Sequence, residues 1–262
     1  RAVDPGAGDE VVHAVQAPQH GALAAPRGPD ESGDLEAGHP WETYLPFPVQ
    51  VVSEIIAEDT PARTTNRVQL IYHDGHFDSQ TRQYIGFGRV EQLELGDASE
   101  PTSLVVSHFH NRKTTSTQAS GEAFNALRRL LFRTEVFGRD GSPEQDRPHF
   151  TDEIEWEARE LTLGSANAKV FFPAKAKEIH TTFERDTRFV RLAKSYTYDE
   201  AGNCVQETKV GDWLDDQDQP QQLAVVTETT YAVSPAIGTT TWPARQRKWA
   251  GNELLKEIRN YY

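Results

Sequence analysis

The feature that most constrains this chain is a period-two alternation of apolar and polar residues. It returns again and again in short runs broken by Gly, Pro, Asn and Asp. Successive side chains on an extended backbone point to opposite faces, so such alternation marks strands that bury one face. Val49, Val51 and Ile55 alternate with Gln50 and Val52, and Arg67–Tyr72 repeats the pattern. Tyr84–Leu93, Leu104–His110 and Arg133–Phe137 follow. Ile154, Trp156 and Ala158 alternate with Glu153, Glu155 and Glu157, giving one apolar and one acidic face. Val170–Pro173 reads as a compact strand ended by its proline, and Ile179, Thr181 and Phe183 as another. Arg191–Tyr198, Cys204–Val210 and Leu223–Tyr231 complete the set, with a last hairpin around Ala250-Gly251-Asn252-Glu253. Asp140-Gly141 is a strong hairpin dipeptide. Only one stretch has helical spacing: after a capping Ser120, the residues Ala123, Phe124, Leu127, Leu130 and Leu131 share a face, leaving Arg128 and Arg129 toward water. The predicted class is all-β, built of long antiparallel strands and hairpins, with one short amphipathic helix.

Composition narrows the function classes. The 262 residues carry a net charge of −13, which repels nucleic-acid phosphates and anionic lipid. Mean hydropathy is −0.65 and no run is long and apolar enough for direct membrane insertion. No signal peptide is seen at the N-terminus. Cys204 is the single cysteine, so no internal disulfide is expected. Residues 1–40 are rich in Gly, Pro and acids and are expected to be flexible. A chain that opens at Arg1 and contains no Met reads as a piece of something larger.

Three local chemistries follow one another between Leu45 and Glu91. Pro46 and Pro48 bracket Phe47 at the start of a strand. Tyr72-His73-Asp74-Gly75-His76-Phe77-Asp78 is a turn rich in imidazole and carboxylate. Gly86-Phe87-Gly88 then sits in a strand, where glycines permit close backbone approach. His73, Asp74, His76 and Asp78 are the candidate metal ligands, since zinc takes imidazole and carboxylate. The same residues around Gly75 also make an ordinary Asx-rich turn, and this reading is preferred: no metal and no cofactor is expected. Gly86-Phe87-Gly88 lacks dinucleotide-fingerprint spacing. His108 and His110 share a strand face without a third ligand, and His149 and His180 stand alone. Cys204 has no nearby base and is expected to pack as a small apolar residue. The acids Asp212, Asp215, Asp216 and Asp218 do not match a calcium-loop spacing. Tyr196-Thr197-Tyr198-Asp199-Glu200-Ala201-Gly202-Asn203 pairs same-face tyrosines with an Asp-opened turn closed by Gly202 and Asn203.

Taken in order, these motifs resemble a known family. Trp41–Val49, Tyr72–Asp78 and Arg82–Glu91 resemble the middle region of the B component of the Tc insecticidal toxin complexes. Arg133–Gly141 and Arg147–Glu153 resemble the segment that follows it, and Tyr196–Asn203 resembles an RHS/YD repeat. The chain departs from the family at His76-Phe77 and Tyr84-Ile85, both strand-compatible changes. The resemblance implies a flexible segment at 1–40, a middle/N-terminal-like β region at 41–118, and at 119–262 a helix with a middle/C-terminal-like β region carrying the repeat. It also implies a secreted, non-enzymatic structural fragment: a part of the hollow shell that encapsulates a toxic cargo, beside a propeller. Its implied partners are the C component, which closes the shell, and the pore-forming A component, reached through the propeller. The alternative is a metal- or glycan-binding β-module using His73, Asp74, His76 and exposed aromatics such as Trp213 or Trp242. A weaker reading is a hydrolase site completed by segments of a larger protein.

Overall fold

The computed structural model of the chain describes residues 10–18, 45–59, 64–96, 101–111, 121–162, 169–183, 189–214, 219–234 and 238–261. These divide into two compact units. The first takes residues 1–112 and 135–148, the second residues 113–134 and 149–262.

The first unit is an antiparallel sheet of β1 (Glu10–Pro18), β2 (Gln50–Asp59), β3 (Thr64–His73), β6 (Arg89–Leu95) and β7 (Thr102–Phe109), paired in that order. A separate two-stranded ribbon, β4 (His76–Asp78) with β5 (Gln83–Gly86), interrupts the chain between β3 and β6. Alternation sets the faces. Along β3, Val68, Leu70 and Tyr72 turn inward while Gln69 and Ile71 stay exposed. On β7, Leu104 and Val106 are the buried pair, and Ile85 of β5 is the most deeply buried large side chain, at 2% exposure.

The second unit is a consecutive meander, in which each strand pairs antiparallel with the next. It runs β9 (Phe150–Thr162), β10 (Lys169–Phe183), β11 (Phe189–Tyr198), β12 (Cys204–Leu214), β13 (Pro220–Ser234), β14 (Gly238–Ala250) and β15 (Glu253–Arg259). The helix α1 (Glu122–Leu127) lies on β9 and β10, burying Phe124 and Leu127. Strand β8 (Leu131–Arg139) gives residues 131–134 to this unit and 135–139 to the first.

Five details differ from the sequence expectations. The Tyr84–Leu93 run, expected as one strand, breaks at Phe87-Gly88, where Gly88 N bonds the His73 and Asp74 carbonyls, so that its two halves become β5 of the ribbon and β6 of the sheet. Residues 10–18, within the segment expected to be flexible, form β1 against β2; the average composition of 1–40 hides a local Val11-Val12-His13-Ala14-Val15 run with strong β propensity. The helix stops at Leu127: Arg128 leaves helical geometry and Arg129 has φ 67°, so Leu130 and Leu131 are off the helix and Leu131 opens β8. Ser120 lies outside the described residues. Pro173 does not end its strand. Residues 169–175 pair with β9 alone, because pairing with β11 begins only at Lys177, so the missing proline N–H faces a local edge. Asp140-Gly141 does open a turn, with Ser142 N donating to Asp140 Oδ1 at 3.0 Å, but the next strand starts only at Phe150.

Candidate functional site

In the first unit the three motifs between Leu45 and Glu91 come together. Gly75 is buried, and a β-carbon on it would lie 2.5 Å from Leu45 Cδ1 and 3.2 Å from Phe87 Cε1. A side chain there would have to displace Leu45. Phe47 meets Phe77 edge-on, with centroids 5.2 Å apart, while Phe87 packs on Tyr72 at 4.8 Å and on Tyr84 at 5.9 Å. Pro46 and Pro48 are exposed on either side of Phe47. The aromatic layer is therefore assembled from all three motifs.

Backbone hydrogen bonds lock the layer in place. Asp74 has φ 55°, and Gly88 N donates to the carbonyls of His73 and Asp74 at 3.1 and 3.2 Å. Phe109 N donates to Gly88 O at 2.8 Å, and the buried Asn111 side chain donates to Asp74 O. Asn111 also leaves no room for a β-carbon on Gly88, its Nδ2 standing 2.9 Å from where one would be. Asn111 went unnoticed in the sequence, since a single Asn after a strand carries no periodic signal. Asp78 closes an Asx turn by accepting from Gln80 N at 2.9 Å, and Gly86, at φ 111°, faces open space. His76 sits opposite Gly86 in the β4–β5 ribbon.

The histidines are tied to carboxylates. His73 Nε2 lies 3.0 Å from Glu91 Oε1, which Arg89 Nη2 also approaches at 3.2 Å. The His73 hydrogen bond holds the Glu91 carboxyl below its ordinary range against the opposing effect of burial. His108 Nε2 pairs with Glu135 Oε2 at 3.1 Å, and burial pushes the His110 imidazole down. His73, Asp74, His76 and Asp78 do not converge: among the described residues no three metal-ligating side chains gather at one point.

In the second unit the Tyr196–Asn203 turn is held from several directions. Asp199 Oδ1 accepts from Ala201 N at 3.0 Å and Asn203 N at 2.8 Å, while Oδ2 accepts from Asn203 Nδ2 at 3.1 Å. Gly202 has φ 85°, and the Phe172 ring lies 3.1 Å from where its β-carbon would stand. Phe172 in turn meets Tyr198 edge-on at 6.1 Å, and the Arg159 guanidinium covers the Tyr198 ring at 5.4 Å. The tyrosine hydroxyls reach back to β10: Tyr196 to Glu178 Oε2 at 2.6 Å and Tyr198 to the Lys175 carbonyl at 2.9 Å. Burial and the Glu178 bond push the Tyr196 phenol well above its usual range. Tyr231 donates to Cys204 O at 2.9 Å. Cys204 is itself half-buried, its thiol donating to Gln206 O and pushed up by burial, the opposite of nucleophile activation.

One relay has the order of a hydrolytic triad. Asp152 Oδ1 lies 2.7 Å from His180 Nδ1, and His180 Nε2 lies 3.1 Å from Thr182 Oγ1. Acyl transfer also needs paired donors aimed at a developing oxyanion. Thr182 lies near the end of β10 in register with both Phe150 and Val190, so its backbone belongs to the ladders on either side. The relay orders the cross-strand face. Trp213 lies along Gly211, and at the nearby cleft of about 410 Å³ the Gln222 amide donates to Asp212 Oδ1 at 2.8 Å. Asp215, Asp216, Asp218 and Trp41–Tyr44 lie outside the described residues.

What this geometry defines is a scaffold class: long antiparallel strands whose polar and aromatic side chains hold turns and neighbouring strands. Comparison with known proteins places it further. The sequence pattern of the family described as "Insecticide toxin TcdB middle/N-terminal region" matches residues 24–118. The crystal structure of TcdB2-TccC3 superposes with a TM-score of 0.67 at 18% identity, over 83% of this chain and 14% of the matched chain. A structure of the Photorhabdus luminescens Tc holotoxin pore, carrying a TccC3 substitution, gives 0.69 at 16% identity, over 83% of this chain and 13% of the other. No curated protein matches the sequence. Residues 24–118 thus match the pattern of that middle region, the all-β fold is shared with these Tc toxin structures, and the chain spans about 14% of the length of the chain it matches.

Proposed function

We propose that the chain is a non-enzymatic wall segment of a secreted toxin's B component. It forms part of an RHS-type shell that closes with a C component around a toxic cargo, next to the propeller that docks on the pore-forming A component. The observation that carries this reading is the likeness to TcdB2-TccC3 over 83% of the chain. The chemistry agrees with it. His73, His108, Tyr196 and Tyr198 are engaged in cross-strand bonds, the Cys204 thiol bonds a carbonyl of its own strand, and the tight turns are clamped from neighbouring strands. A wall needs strands that hold register under lateral load, and side-chain clamps between strands supply it.

The test is a reconstruction by electron cryo-microscopy of the B-component polypeptide that carries this segment, co-expressed with its C component. The expected result is a closed hollow particle with β9–β15 in its wall. A segment lying as a separate body outside the cavity overturns the reading. So does a shell that still closes when residues 121–261 are deleted.

A further inference from the structure

The β14–β15 hairpin has the opposite charge character to the chain that carries it. Residues 238–261 hold five basic and two acidic residues, in a protein of net charge −13. Register sets like charges directly opposite one another, Arg245 against Arg259 and Lys248 against Lys256. Such pairs destabilise a sheet, and local rules of this kind are broken at functional positions. On one face, three guanidinium groups converge on a single carboxylate. Arg245 Nη2 and Arg247 Nε lie 3.2 and 3.1 Å from Glu257 Oε2, and Arg259 Nε bonds Glu257 Oε1. Glu228, opposite Arg247 on β13, is engaged by Trp249 Nε1 at 3.1 Å, and Arg259 also bonds Tyr261. The two carboxylates leave this face with a net positive charge. The Arg247 guanidinium rests over the Trp249 ring at 5.9 Å, which holds its planar fork in place.

We propose that this face is a docking surface for an extended, carboxylate-bearing polypeptide segment. Charge complementarity selects acid, and spacing selects extended backbone. Arg245 and Arg247 are two residues apart on one strand, so they repeat at about 6.8 Å, the same pitch as acidic side chains at every second position of an extended partner. Arg247 contacts Glu257 through Nε, leaving its two terminal nitrogens to form a two-pronged bond with an incoming carboxylate, while Arg245 and Arg259 supply charge beside it. The proposal does not rest on the shell reading.

The test uses the full 262-residue chain and three fluorescent probes: a peptide alternating Glu and Thr over about twelve residues, its Gln-for-Glu counterpart, and a single-stranded DNA oligomer of equal charge. Polarisation is expected to show the Glu peptide binding at least tenfold tighter than the Gln peptide. The Arg245→Gln/Arg259→Gln double variant is expected to lose at least tenfold, and Lys169→Gln, a basic change in another hairpin, to lose nothing. Arg247→Lys keeps the charge but not the fork, and a severalfold loss is expected; circular dichroism of each variant verifies folding. Equal binding of the Gln peptide, unchanged affinity in the arginine variants, or DNA binding as tight as the Glu peptide each overturns the proposal.

Discussion

Replacing Gly202 with alanine tests whether the Tyr196–Asn203 turn is a clamped element or a passive connection. Two costs add at this position. Gly202 has φ 85°, where a β-carbon meets its own backbone, a penalty of about 1–2 kcal/mol. The new methyl would also stand 3.1 Å from Phe172 Cζ and 3.2 Å from Cε1. Overpacking of that kind costs about 1–3 kcal/mol when the neighbour cannot move. Phe172 is restrained by Tyr198, whose hydroxyl is bonded to Lys175 O and whose ring lies under Arg159. The expected total is about 2–5 kcal/mol. Gly251→Ala is the internal control: it has φ 55° but nothing within 4 Å of its added carbon, so only the backbone cost applies. Urea titration, with hydrogen exchange of β11 and β12 to localise the loss, measures both variants against wild type. Adding Phe172→Leu to Gly202→Ala should recover the packing part of the penalty. The clamp is refuted if Gly202→Ala costs no more than Gly251→Ala, or if the second substitution recovers nothing.

Two further outcomes follow from the titrating groups. The folded-state Glu91 carboxyl lies below its unfolded value, so its contribution is present above the ordinary carboxylate range near pH 4.5 and is lost as pH falls through the depressed value. Glu91→Gln should therefore flatten the acid limb of stability for the first unit, and an unchanged limb between about pH 5 and pH 2 would show that the His73 pair does not couple to folding. Burial raises the Cys204 thiol, so its reaction with a disulfide reagent at pH 7.4 should be at least tenfold slower in the native chain than in urea. Rates equal within twofold would place that sulfur at the surface.

Much of the strand framework could be read in the sequence because side-chain alternation is a local property. Val68, Leu70 and Tyr72 turn inward as their spacing requires, and Glu155 and Glu157 turn out. The failures occur where a local signal had two continuations. Leu130 and Leu131 keep helical spacing with Phe124 and Leu127, yet Arg128 and Arg129 leave helical geometry and the same leucines lead into a strand. Pro173 looked like a stop because proline lacks a donor, but the cost depends on whether a neighbour needs that donor. At residues 169–175 only β9 is paired. The valines of β1 were lost in an average taken over forty residues.

The same division runs through the candidate site. Asp199, Gly202 and Asn203 announce a turn by residue type alone, since each acts on backbone within four residues. Phe172, which makes that turn rigid, is about thirty residues away in sequence, and no periodicity connects the two. Asn111 stands in the same relation to Asp74 and Gly88 in the first unit. Local chemistry thus names the turns, while the partners that clamp them come from other strands and become visible only once register is known. That distinction also decides the histidines. In sequence, His73, Asp74, His76 and Asp78 look like a ligand set because they are close along the chain. In space His73 turns to Glu91, Asp78 turns to its own backbone, and His76 takes a place in a separate ribbon. A cluster along the chain becomes a shared site only if the strands aim its members at one point, and here they aim them apart.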